Sequence, residues 1–199
     1  MADFKSVGFD NIDDTISEVK KDIIDFTEGR LRWGSTFRIA NIIAELQSGK
    51  TLFLKGIAQN LWPDYRLFYT ISYALNELNE QFKNDMRPHG NIVTFKIRAT
   101  KNEKHYSNLL REISNLVEEN KKQVLVLGVD ESEAGINEGS LLNKLIIRIG
   151  KDLPNTRIYL ITTGATPASL RHIEDDPKIM VDIKNFRMYP GDGYVGLSE

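Results

Sequence analysis

From Phe37 to Ile183 the chain repeats one pattern: a short apolar run, then a longer stretch whose apolar residues recur every three or four positions. The short runs are Phe37–Ala44, Leu67–Ser72, Asn91–Arg98, Gln123–Val129, Arg157–Thr162 and Ile179–Ile183, and they read as strands. The longer ones, Thr51–Leu61, Ala74–Asn84, Lys104–Glu119 and Leu141–Lys151, read as helices. This alternation predicts an α/β fold with a mostly parallel central sheet and helices on both faces. Parallel neighbours need a crossover, and strands that are apolar all round must be covered on both sides. A ligand is then expected in the crevice at the carboxyl ends of the strands. Ahead of the repeat, Ile16, Val19, Ile23 and Ile24 stand at helical spacing in Ile16–Phe26, and Thr27-Glu28-Gly29 supplies a stop.

The 199 residues suffice for one domain with a sizeable core and are short for two. There is no cysteine, so disulfides and thiolate metal sites are excluded and a cytoplasmic setting is expected. Met1–Asp14 is polar and acidic, unlike a signal peptide, and nothing elsewhere approaches the roughly 18 apolar residues of a membrane span. Against 26 Lys and Arg stand 28 Asp and Glu, so a nucleic-acid contact would need a local patch rather than a global field.

Between the first strand and the next helix lies Ser48-Gly49-Lys50-Thr51. A triphosphate needs backbone N–H groups turned around its oxygens, an ammonium reaching the β and γ phosphates, and a hydroxyl for magnesium. Gly49, Lys50 and Thr51 can supply these, and the loop set Gln47, Ser48, Gly49, Lys50, Thr51 and Leu52 is the candidate phosphate cradle. Ala44 stands where the pattern G-x-x-x-x-G-K-[ST] has its first glycine.

The run Gln123–Val129 ends in Asp130-Glu131-Ser132-Glu133. Two acids at the end of a buried parallel strand are costly unless paired or coordinating. Asp130 can hold a hydrated magnesium ion beside Thr51, and Glu131 can orient or deprotonate a water for in-line attack on a γ-phosphate. The run Arg157–Thr162 continues into Thr163-Gly164-Ala165-Thr166-Pro167, where Thr163 and Thr166 hydroxyls can face the γ-phosphate or Thr166 can cap a helix that starts at Pro167.

Three segments taken in order, Ala44–Thr51 (AELQSGKT), Val129–Gly135 (VDESEAG) and Thr162–Leu170 (TTGATPASL), resemble motifs I, II and III of the first RecA-like domain of superfamily 2 helicases and translocases, especially phage and restriction-type DNA helicases. In that family alanine often opens motif I, as Ala44 does here. Phe68–Gln81 resembles motif Ia, a junction that touches the nucleic-acid backbone, and Tyr194-Val195-Gly196 resembles a short segment that follows motif III.

The resemblance implies a RecA-like P-loop NTPase fold with the motif III strand between those of motifs I and II. It implies ATP and magnesium as ligands, Lys50 on the β and γ phosphates, Thr51 and Asp130 on the metal, Glu131 as base, and Thr166 beside the nucleotide. Residues 1–30 would be a helical segment packed on the domain and 31–199 the RecA-like domain. The partners implied are DNA and a second RecA-like domain, which the sequence does not carry. A glutamine-containing adenine motif is not recognisable. Arg30, Arg32 and Trp33 lie in the right region to contact adenine, or Trp33 packs on the N-terminal helix.

A viral packaging-type terminase uses a similar loop and acid pair, and a non-catalytic nucleotide-dependent module that binds DNA or a partner is the alternative outside enzymes. His89, His105 and His172 are too scattered for a metal site. Lys101 and Lys104 alternate with acids, as on a solvated helix face.

Overall fold

The computed structural model describes residues 12–29, 37–44, 49–71, 76–88, 92–119, 124–130, 141–164 and 181–188. Their strands are β1 (Phe37–Ala44), β2 (Leu67–Ile71), β3 (Ile92–Thr94), β4 (Val124–Asp130), β5 (Arg157–Gly164) and β6 (Val181–Met188). The helices are α1 (Ile12–Thr27), α2 (Lys50–Leu61), α3 (Asn76–Met86), α4 (Glu103–Glu119) and α5 (Leu141–Asp152). One six-stranded sheet runs in the order β3-β2-β4-β5-β1-β6, with every pairing parallel. The last β-then-α alternation thus becomes a sheet in which β5 lies between β1 and β4, as the motif resemblance implies.

Both faces are covered, which explains why β4 is apolar up to its final Asp130 and buried throughout. On one face Ala40, Ile42, Tyr69, Val126, Tyr159 and Ile161 meet α1 and α2 through Ile16, Val19, Ile23, Phe53, Leu54 and Ile57. On the other, Ile39, Phe68, Leu125, Leu127 and Leu160 meet Leu109, Ile113 and Leu116 of α4 and Leu145, Ile146 and Ile149 of α5. Successive strand residues point to opposite faces, so odd and even positions of β1 serve different helices.

Several boundaries differ from the sequence expectation. The run Asn91–Arg98 pairs only over Ile92–Thr94, and the chain then winds into a 3₁₀ turn at Ile97–Lys101. Ile97 and Thr100 are both buried there, and a spacing of three matches the 3₁₀ repeat; the Thr100 hydroxyl donates to the Ile97 carbonyl at 2.5 Å. The last strand is longer than expected, because Val181–Met188 pairs with all eight residues of β1 and buries Phe186 and Met188.

Helix α1 also starts earlier, at Ile12. Ile12, Ile16, Val19, Ile23 and Phe26 are all at most 2% exposed. Each such side chain contributes about 1.5–3 kcal/mol when fully buried, which stabilises a helix of this length that would be marginal alone. Its polar anchor is Asp22. Arg38 of β1 donates to this carboxylate from Nε at 2.9 Å and from Nη2 at 2.7 Å, Tyr159 of β5 donates at 2.8 Å, and Lys184 of β6 donates at 3.4 Å. Arg38 also pairs with Asp182 of β6. One turn on, Phe26 meets the Tyr159 ring edge-on at 5.8 Å, and the Arg157 guanidinium covers Phe26 at 4.2 Å.

Burial pulls the Asp22 carboxyl upward, but the hydrogen bonds from Arg38 and Tyr159 and the charges of Arg38 and Lys184 outweigh it. The group is held below its ordinary 3.8. D22N takes from the buried Arg38 its buried carboxylate and leaves it the more exposed Asp182, and removing one partner of a buried pair costs about 3–5 kcal/mol. Urea unfolding of D22N against the unaltered chain is expected to show a loss of that order near pH 7. The folded-state value is depressed, so the Asp22 contribution is present above the ordinary 3.8 and lost as pH falls through the lower folded value. The gap between the two proteins should therefore be constant above about pH 5 and close in more acidic buffer.

Candidate nucleotide site

Helix α2 begins at Lys50, and Gly49 just before it adopts φ 80° and ψ 24°. This left-handed conformation is one that glycine reaches without the steric cost of a Cβ. The Gly49 carbonyl accepts the Phe53 amide at 2.9 Å, closing the first helical turn. The first amides of a helix have no intrahelical partner, so together with the helix dipole they form a ready anion site. Lys50 is buried at this helix start, only 5% exposed, and Thr51 follows it at intermediate exposure.

Asp130, the last residue of β4, is 3% exposed. Thr51 Oγ1 donates to its Oδ2 at 2.9 Å, and Thr163 Oγ1 of β5 donates to its Oδ1 at 2.7 Å. Three elements distant in sequence therefore meet on one carboxylate. They meet because β5 pairs with β4 on one side and with β1, the strand leading to the loop, on the other. Thr162 and Thr163 are consecutive strand residues and serve opposite faces. Thr162 Oγ1 donates to Asn41 Oδ1 at 2.6 Å, and Asn41 Nδ2 donates to Asn185 Oδ1 at 2.9 Å, a polar ladder across β5, β1 and β6.

Of the residues singled out from sequence, Gly49, Lys50, Thr51 and Asp130 are placed at this one end of the sheet. Leu52 is half-buried and turns its side chain into the α1–α2 core, which leaves only its backbone for a ligand. Arg30, Trp33, Gln47, Ser48, Glu131 and Thr166 lie outside the described residues. In the sequence Thr163 stands with Thr166, and nothing local marks it as the partner of Asp130. Tyr69, Asn41 and Gly128 are further residues that the structure brings out; their signals in the sequence are a polar residue inside an apolar run and a glycine inside a strand.

A hydroxyl and a carboxylate at 2.9 Å supply hard oxygen donors, the type magnesium takes, so Thr51 and Asp130 fit that ion chemically.

An all-parallel sheet with β5 inserted between β1 and β4, a glycine-lysine-threonine helix start and an acid at the end of β4 together make the fold of a P-loop NTPase domain of the RecA-like type. Solved structures with this fold include Drosophila ORC bound to poly(dA/dT) DNA and Cdc6, at a TM-score of 0.54 and 15% identity. Drosophila ORC bound to AT-rich DNA and Cdc6 follows at 0.53 and 15%. In both, the match covers 90% of this chain and 30% of the matched chain. This chain therefore spans about a third of the length of the chains it matches there. At this identity the likeness supports the fold alone, while the helicase type rests on the three sequence motifs. No protein-family model matches the sequence, and no curated protein sequence does.

Replacing Thr163 by valine keeps the shape and removes one donor from the buried Asp130 carboxylate. Hydrogen bonds to charged groups contribute about 1.5–3 kcal/mol, so T163V is expected to lose a comparable amount in urea unfolding without nucleotide or magnesium. T162V, on the other face, should leave the Thr51–Asp130 contact unchanged in its crystal structure.

Proposed function

We propose that this chain binds ATP with magnesium and hydrolyses it, as the ATP-binding domain of a DNA helicase or translocase. The observation that carries the reading is the buried Asp130 carboxylate shared by Thr51 at the start of α2 and Thr163 at the end of β5, beside the buried Lys50. Lys50 would place its ammonium on the β and γ phosphates, and Gly49 lets the loop backbone close around them. Thr51 and Asp130 would hold magnesium, which when bound neutralises charge on the phosphate oxygens. Glu131 follows Asp130 directly and would orient the attacking water and accept its proton.

DNA as the partner is supported by the helicase-like motif order and by the ORC structures, whose chains are bound to DNA. Efficient turnover would need a second RecA-like domain, in cis or trans, because an arginine supplied across such an interface contributes on the order of 10³–10⁵ in rate. No helix among the described residues is long and apolar enough to cross a membrane. The cysteine-free composition supports a cytoplasmic setting.

Titration calorimetry with ATP and magnesium is expected to show binding by the unaltered chain and its loss in K50A. Equal affinity for the two proteins would remove the nucleotide assignment. E131Q should bind as the unaltered chain does and lose phosphate release measured in a single turnover. Retained release would remove Glu131 as the base and favour a different water-activating residue.

A further inference from the structure

Tyr69 of β2 is fully buried on the α1–α2 face, yet its hydroxyl is not left idle in the core: it donates to the Leu54 carbonyl of α2 at 3.0 Å. Burying a hydroxyl costs about 1–3 kcal/mol unless it is bonded, so a phenol here requires a specific acceptor. The acceptor lies within α2, where carbonyls bond the amide four residues on, so Tyr69 adds a bond that helix formation does not need. Leu54 lies three residues beyond Thr51, about one turn into the helix.

The other side of the same ring rests on β4. Tyr69 and Gly128 are register partners, and a Cβ on Gly128 would stand 2.4 Å from Tyr69 Cε1 and 2.5 Å from Cδ1. Any side chain at position 128 therefore displaces the ring. Gly128 is two residues before Asp130 and on the same face of the strand. The phenol thus spans from β4, next to the acid, to α2, next to the hydroxyl that meets it. The Asp130 charge adds to burial in raising the Tyr69 pKa, so the donor stays protonated at all ordinary pH.

We propose that Tyr69, seated on Gly128, is a positioning residue that sets the height of α2 over β4 and so the reach between Thr51 and Asp130. The role rests on the nucleotide reading above only for its consequence. If Thr51 and Asp130 share magnesium, the spacer tunes the metal-dependent part of nucleotide affinity and leaves the contribution of Lys50 and the loop amides alone.

The test has a structural arm and a binding arm, each applied to G128A, Y69F and a control, V126A. Val126 is fully buried on the same face of β4 but faces neither Tyr69's hydroxyl nor its glycine seat in register, pairing instead with Leu67. In ligand-free crystals the Thr51 Oγ1–Asp130 Oδ2 separation, 2.9 Å here, should pass about 3.5 Å in G128A, outside hydrogen-bond reach, and lengthen less in Y69F. V126A should keep it. In solution the gain in ATP affinity on adding magnesium should fall about tenfold in G128A, the scale seen when an outer-shell partner of a metal ligand is lost. It should fall less in Y69F and stay as in the unaltered chain in V126A, with magnesium-free affinity alike in all.

An unchanged separation in folded G128A overturns the spacer, as does an equal loss of magnesium dependence in V126A. If G128A does not fold, an unchanged separation in Y69F overturns it. If the unaltered chain binds no nucleotide, the nucleotide reading fails, and the crystal separations alone decide the spacer.

Discussion

A carboxylate buried at the end of a strand has to be met by donors, and Asp130 is met by two hydroxyls brought from opposite directions in the chain. An ion left uncompensated in such a position costs several kcal/mol. Satisfying it requires that α2 start beside β4 and that β5 lie next to it, and these two placements define the candidate site. The glycine before α2 and the crossing order of the strands can be read as consequences of that requirement. Gly49, with its positive φ, turns the backbone into α2 just ahead of Thr51.

A second buried carboxylate on the same sheet shows what a purely structural solution looks like. Asp22 is saturated by the guanidinium of Arg38, the phenol of Tyr159 and the ammonium of Lys184, so its charge is cancelled within the fold. It fastens α1 across β1, β5 and β6 near their amino ends. Asp130 accepts from the hydroxyls of Thr51 and Thr163, and a hydroxyl oxygen that donates to a carboxylate can equally ligate a cation alongside it. One end of the sheet thus carries a carboxylate fastened by Arg38 and Lys184, and the other a carboxylate that accepts from two hydroxyls.

The residues of β1 show how much the sequence carried. Phe37–Ala44 forms a strand with the expected bounds because it is apolar on both faces and is buried between two neighbours. The edge run after Asn91 kept its strand only over three residues. At an edge one side of the ladder is unpaired, and there the burial of Ile97 and Thr100 favoured a 3₁₀ turn over continued pairing. The same contrast holds in the site. Lys50, Thr51 and Asp130 were readable because each sits in a local pattern of glycine, hydroxyl or acid at an element boundary. Tyr69 and Gly128 were not, because a tyrosine in one strand and a glycine in another carry no mutual signal until the strands pair.

By itself the sequence determined the order of elements, the loop that opens α2, and the acid that ends β4. These follow from residue periodicity and from turn and cap chemistry acting within a few positions. Only the tertiary structure decided that Thr163 and not Thr162 meets Asp130, and that Tyr69 bridges α2 to Gly128. Two consecutive strand residues face opposite sides of a sheet, and which side carries α2 is settled by long-range packing, not by either residue's own neighbours.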